Sequence, residues 1–262
     1  MTVRVLVVGI GSGDPAHLTG EAVAALNAVD VFLVADKRAA TRDLVTLRAE
    51  LCAAVISHDR YRFVEVPDPE RGPDADRDAT AYAGAVRDWH AERAHRYAEA
   101  ITREVGSEGT VGLLVWGDPS LYDSTLRVVG SVGEELTRSG VSLETRVVPG
   151  ISSVSLLAAR HGVALNRVGQ PVHITTGRRL LGEYDEALGD VVVMLDGDLA
   201  CAGLVADHPD LEIFWGAQLG LADEALVHGR LADVLPEVRA RRDAVRAARG
   251  WVMDTYLLRP GS

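Results

Sequence analysis

Thr110–Arg127 reads TVGLLVWGDPSLYDSTLR, and the change of character along this stretch decides the class of fold. Val111 to Val115 is a short apolar run that Trp116-Gly117-Asp118-Pro119 interrupts. Proline lacks the N–H a sheet ladder requires and Ser120 can cap a helix, so the pattern predicts a strand, a tight turn and a helix from about Leu121 to Arg138. In open α/β sheets, ligands sit just beyond strand ends of this kind.

Working outward, the same alternation recurs on both sides. Val3 to Val8 is a β-branched run that ends in Gly9-Ile10-Gly11-Ser12-Gly13-Asp14-Pro15, followed by a helical pattern through Leu18, Ala22, Ala25 and Leu26. A dinucleotide fingerprint needs a third glycine where this chain has Asp14, whose carboxylate would face a pyrophosphate. That weakens a nicotinamide-dependent oxidoreductase without removing it as an alternative. Three glycines still predict a sharp turn or a close approach, with Asp14 and His17 on the strand-end rim. Strands are also predicted over residues 30–35, 62–66 and 143–148, and helices over 41–55 and about 80–105. Pro149-Gly150-Ile151-Ser152-Ser153 then opens a helix capped by Ser152 or Ser153.

Five strands separated by helices predict a mostly parallel sheet. We close this first domain at Asn166, giving domains 1–166 and 167–262. Strands over 171–176, 191–195, 211–215, 225–227 and 251–258 predict a second five-stranded sheet, with helices over 183–188, 199–206 and 231–249. Only one helix joins its last two strands, so that sheet is expected to be mixed. Arg239, Arg241, Arg242, Arg246 and Arg249 of the final helix read as a solvated face.

Composition narrows the partners. The 262-residue chain is 47% hydrophobic, enough for real cores, and carries a net charge of −11. That acidity argues against nucleic acid, which is bound through a basic face. Of 27 basic residues only Lys37 is a lysine. No apolar run approaches the ~18 residues of a membrane span, and glycines punctuate the first residues where a signal peptide would be continuous; a cytoplasmic protein without a membrane partner is expected. Cys52 and Cys201 lie far from any metal-ligand spacing, so reduced core thiols and no metal are expected.

The Gly9 to Pro15 loop, Gly117-Asp118-Pro119, Pro149-Gly150-Ile151-Ser152-Ser153 and Val193-Met194-Leu195, in this order, resemble the tetrapyrrole (corrin/porphyrin) methylases. The resemblance covers essentially the whole chain. It implies two α/β domains with the active site in the cleft between them, S-adenosylmethionine (SAM) as methyl donor, a tetrapyrrole substrate and a homodimer. The segments WGDPSLYDSTLR, ARHGVALNRVGQPVHITTGRRL, VVMLDGD, WGAQLG and GWVMDTYLL resemble the deacetylating branch of cobalamin biosynthesis. Its enzymes methylate C-1 of a ring-contracted precorrin and release an acetyl group as acetate.

Residue by residue, the resemblance implies that Gly117, Asp118 and Leu121 hold SAM near the turn, that Ser152 and Ser153 contact its methionine end, and that Met194 and Ala217 line the pocket from the second domain. Ser12 and Asp14 would border both SAM and the tetrapyrrole. Relatives often carry Met-Gly where this chain has Met194-Leu195, so the adenosyl contact there departs from theirs in backbone detail.

Methyl transfer from a sulfonium needs alignment more than acid or base, whereas acetate release needs a general base. The candidates are Asp14, His17, Tyr122, Asp123 and His161. For Asp123 the alternative is a negative charge on a first helical turn, and for His161 a helix C-cap. A polycarboxylate substrate on an acidic protein calls for arginines, since a guanidinium fork matches a carboxylate. Arg127, Arg178 and Arg179 are the substrate-binding candidates, ahead of Arg160, Arg167 and the Lys37-Arg38 pair. Rival readings are a methylase of another corrin position, a relative that methylates RNA or the diphthamide precursor, and a noncatalytic carrier.

Overall fold

The computed structural model describes residues 2–36, 42–69, 79–106 and 108–261. The chain divides into two compact units, Met1–Ile151 and Ser152–Ser262.

The first unit runs β1 (Thr2–Gly9), α1 (Gly20–Leu26), β2 (Val31–Asp36), α2 (Arg42–Val55), β3 (Arg62–Pro67), α3 (Ala79–Val105), β4 (Gly109–Val115), α4 (Thr125–Arg138) and β5 (Ser142–Val148). Its strands are all parallel in the order β3-β2-β4-β1-β5. Strand periodicity sorts β1 between two cores. Val3, Val5 and Val7 join Val111, Leu113 and Val115 against Tyr97, Ile101, Val128, Val132 and Leu136 of α3 and α4. Leu6 and Val8 face the other way, onto Leu26 of α1 and Leu51 of α2. Burial on both faces explains why these strands read as continuous apolar runs.

The second unit holds α5 (Ser153–His161), β6 (Val172–Thr176), α6 (Gly177–Glu183), β7 (Asp190–Met194), β8 (Glu212–Ala217), β9 (Ala225–Arg230), α7 (Leu231–Arg249) and β10 (Asp254–Arg259). The sheet order is β6-β7-β10-β8-β9, with only β6 and β7 parallel. The mixed sheet is as expected: α7 returns the chain so that β10 inserts antiparallel between β7 and β8.

Several expectations need correction. The division between units falls at Ile151/Ser152 instead of Asn166, because α5 packs on β8, β9 and β10 of the second sheet. The helix after the Gly-Asp-Pro turn starts at Thr125, four residues late. Leu121 N–H donates to Asp118 O at 3.2 Å and Thr125 N–H to the Asp123 carboxylate at 2.6 Å, so residues 118–124 are held as turns. The helix expected over 183–188 is instead α6, which begins directly after β6, followed by a 3₁₀ turn at Glu186–Leu188. A second 3₁₀ turn, Ala200–Leu204, replaces the helix expected over 199–206. Nor is α7 solvated along all its arginines. Arg242 is 5% exposed, donates to Asp254 at 2.8 Å and also caps the carbonyls of Asp196 and Gly197.

Among the described residues no helix is long and apolar enough to cross a membrane. Cys52 and Cys201 are both buried free thiols, and burial pushes each up to about 12.

Candidate functional site

In the first unit, three loops meet at the C-terminal ends of β1, β4 and β5. Gly11 and Gly117 exchange backbone hydrogen bonds, at 2.7 Å from Gly117 N–H to Gly11 O and 3.3 Å in return. Gly9 and Gly150 close the contact from the other side. A Cβ on Gly150 would lie 2.1 Å from Gly117 O, and one on Gly9 would lie 2.5 Å from Gly150 N. Backbone therefore packs directly on backbone, and only glycine permits it. Here lies the physical meaning of the glycine loop: it brings strand ends into contact, with no phosphate required.

Asp118 ties this junction together. One carboxylate oxygen accepts from Gly150 N–H at 2.9 Å, and the other from the N–H and the hydroxyl of Ser120. Partial burial opposes its ionisation, but the bonds from Ser120 and Gly150 together prevail, and the carboxyl sits below the usual carboxylate range. Gly117, Asp118, Leu121, Ser12 and Asp14 are thus neighbours on one rim. Ser12 Oγ is 2.7 Å from His17 Nδ1, and Asp14 caps a 3₁₀ turn by accepting from Ala16 N–H at 2.8 Å. Tyr122, on the same turn, has φ +50° and is 47% exposed. A bulky residue in the left-handed region at a strand end marks a constrained, outward-facing position. Asp123 caps Thr125 with one oxygen, while the other has no hydrogen-bond partner among the described residues.

In the second unit, Ser153, Met194 and Ala217 converge around one residue. Thr255, at the start of β10, pairs in register with Met194 of β7 and Gly216 of β8, while Asp254 pairs with Ala217. Thr255 Oγ1 lies 3.0 Å from Ser153 Oγ. Ser152 is the N-cap of α5 and accepts from Ser155 N–H at 3.2 Å, so the cap belongs to Ser152 and Ser153 opens the helix. The N-terminus of α5 thereby lies beside Thr255 at the start of β10, with its first N–H groups free of intrahelical partners.

Two strained residues stand on the same end of this sheet. Leu195 has φ +53° with 65% exposure, and Gln218 has φ +51° with 1% exposure. The Leu195 value explains the glycine of relatives: the position calls for a left-handed backbone. Gln218 accepts from Met253 N–H at 2.9 Å, and its N–H donates to Met253 O at 2.9 Å. Its buried Nε2 has no partner among the described residues, a polar exception beside Ala217.

Other candidates lie elsewhere or are already engaged. His161 is at the far end of α5 from Ser153, about 12 Å along the axis at 1.5 Å per residue. Its Nε2 is 3.0 Å from Trp215 O and its ring stacks edge-on against Phe214. Burial lowers its affinity for a proton. Arg179 pairs with Glu183 one helical turn on, and Arg178 shares α6 with it. Arg127 is exposed on the first turn of α4. Arg160 pairs with Glu224 at 3.0 Å and Arg167 with Asp190 at 3.5 Å. Lys37 and Arg38 lie outside the described residues. Among the described residues, no group of three His, Cys, Asp or Glu side chains is placed to hold a metal.

Sequence reasoning missed Gln218, Thr255 and the Arg242–Asp254 pair. The polar residue inside WGAQLG, where the neighbours are apolar, was the available signal for Gln218. Nothing in the sequence pairs Arg242 with Asp254, since the register of β10 brings them together.

Comparison with known proteins identifies the family. The family of Tetrapyrrole (Corrin/Porphyrin) Methylases matches residues 4–235. A Sinorhizobium protein, Precorrin-6A synthase [deacetylating], is 43% identical over 259 residues, covering 99% of this chain and 96% of that protein. A putative cobalamin synthesis related protein (CobF) from Corynebacterium diphtheriae has a similar structure, with TM-score 0.82, 34% identity and full coverage of both chains. A uroporphyrin-III C-methyltransferase from Thermus thermophilus, solved with S-adenosylhomocysteine, shares the fold at TM-score 0.53 and 22% identity over 97% of this chain and 96% of that one.

Proposed function

This chain belongs to the tetrapyrrole (corrin/porphyrin) methylases, and from that premise we propose that it is the SAM-dependent enzyme of cobalamin biosynthesis that methylates C-1 of precorrin-5. The acetyl group leaves as acetate and precorrin-6A is the product. The observation that carries this reading is the likeness to the Sinorhizobium enzyme, 43% identical along almost the entire chain.

SAM supplies an electrophilic methyl group and needs no metal to do so. The chain's task is to hold its donors in line with C-1. Ser152, Ser153 and the N–H groups opening α5 are suited to the methionine carboxylate, Met194 and Ala217 to the adenosyl moiety, and the unpaired Gln218 amide to one of its polar edges. In the first unit, Gly117, Asp118 and Leu121 are the residues suited to SAM, with Asp118 holding the turn in shape. Ser12 and Asp14 border the same rim.

For deacetylation, water adds to the acetyl carbonyl, the bond to C-1 breaks, acetate departs, and the macrocycle's π system carries the electron pair that the methyl group then receives. Asp123 is the base we assign, through its unpartnered oxygen, with the constrained Tyr122 orienting the acetyl group. Asp14 is a second candidate, whereas His161 is better explained as an anchor of α5 on β8. Arg127, Arg178 and Arg179 remain candidates for outlying substrate carboxylates. By family resemblance we also propose a cytoplasmic homodimer. The test is acetate quantified with purified protein and precorrin-5: release that requires SAM supports the reading, and none in its presence rejects it.

A further inference from the structure

Among the described residues, one guanidinium of the first unit has no carboxylate at ion-pair distance. Arg48, on α2, lies with its guanidinium carbon 4.9 Å from the centre of the Trp116 ring. Trp116 is the residue immediately before Gly117, so the cation stands over the strand end that carries the Gly-Asp-Pro turn. Among the described residues, its Nη donates to Leu44 O of its own helix, at 3.1 Å. Guanidinium has five N–H donors, and a half-buried one normally finds an anion.

The neighbours show that the vacancy is selective. Arg93, coupled electrostatically to Arg48, sits 4.8 Å over Trp89 and pairs with Asp68 at 3.2 Å, where both side chains are 13% exposed. Arg48 has no carboxylate within ion-pair distance among the described residues. Of the groups acting on its charge, burial dominates and lowers it to about 10, Tyr97 and Asp123 favour the cation, and Arg93 opposes it. It is still a cation at neutral pH. Arg48 itself is partly exposed. The cation–π contact with Trp116 anchors the guanidinium over the ring.

We propose that Arg48, held over Trp116, binds a carboxylate of the tetrapyrrole substrate beside the Gly117–Asp118 turn. This rests on the function proposed above and adds a residue to it. A peripheral acetate or propionate group accepting two N–H bonds of the fork would add a charge-assisted contact that helps hold the macrocycle at the strand ends, a binding contribution read in KM.

The test compares wild type with Arg48→Gln and Arg48→Lys in three readouts: KM and kcat for precorrin-5, Kd for SAM by calorimetry, and Kd for uroporphyrin, a stable octacarboxylate, by fluorescence. Loss of a charge-assisted bidentate contact predicts that Arg48→Gln raises KM and the uroporphyrin Kd about tenfold or more, with SAM affinity and kcat within about twofold of wild type. Arg48→Lys should recover part of the loss. An unchanged KM in a folded variant overturns the assignment, as does a KM rise matched by an equal loss of SAM affinity. Should Arg48→Gln fail to fold, Arg48→Lys decides: a KM equal to wild type overturns it. Should wild type fail to turn over precorrin-5, the function reading falls, and uroporphyrin binding then judges Arg48 alone, with equal affinities or no wild-type binding counting against it.

Discussion

The Asp118 carboxylate reaches from the turn after β4 to the backbone N–H of Gly150 after β5, at 2.9 Å. The two strands are not neighbours in the sheet, since β1 lies between them. The bond therefore spans the central strand's exit and fixes the two loops around it.

Replacing Asp118 by Asn keeps one acceptor oxygen and loses the charge. We expect a loss of about 1 kcal/mol of stability and weaker SAM binding. The carboxyl's folded value lies below its ordinary range, so its contribution is present at neutral pH and disappears as pH falls through that lowered value. Urea unfolding of wild type and variant at neutral pH and near pH 3 checks this: the gap should narrow on acidification.

Gly150→Ala should be far more damaging. Its Cβ would meet Gly117 O at 2.1 Å and Gly9 C at 2.7 Å, both backbone atoms with no side chain to rotate aside. We expect a loss of about 3 kcal/mol or more. Gly130→Ala in α4, where a Cβ meets nothing within 4 Å, should instead stabilise by about 0.5–1 kcal/mol. Thermal melts of the two variants should shift in opposite directions.

At Leu195, φ +53° and 65% exposure mean strain with little packing in return. Leu195→Gly should raise stability by about 0.5 kcal/mol, the left-handed penalty of ~1–2 kcal/mol being partly offset by glycine's greater unfolded entropy. A melting temperature below wild type would contradict this.

Asp123→Asn separates capping from chemistry. An amide oxygen still accepts from Thr125 N–H, so folding and SAM affinity should stay near wild type, while acetate release slows about 100-fold or more if the carboxylate is the base. Turnover equal to wild type would leave Asp123 as a helix cap alone.

How much of this was legible in the sequence follows the range of the forces involved. β1 and β4 announce themselves because burial on both faces demands uninterrupted apolar runs. The turn at Gly117-Asp118-Pro119 was equally plain from its breakers, yet the late start of α4 was not. That start depends on Asp123 competing for Thr125 N–H, a choice between two nearly equal local hydrogen bonds. That Ser153, Met194 and Ala217 contact SAM was implied by family resemblance, whereas their meeting at Thr255, caused by the insertion of β10 between β7 and β8, is a long-range pairing that the sequence did not announce. Arg242 was misread for the same reason: five arginines on one helix look solvated until a distant strand places Asp254 against one of them.

The most direct test of the function is the mass of the product formed from precorrin-5 and SAM carrying a deuterated methyl group. We predict one labelled methyl gained, one acetyl lost, and one acetate per turnover. A product that gains the label and keeps its acetyl group would contradict the deacetylating assignment and leave a methylase of another position.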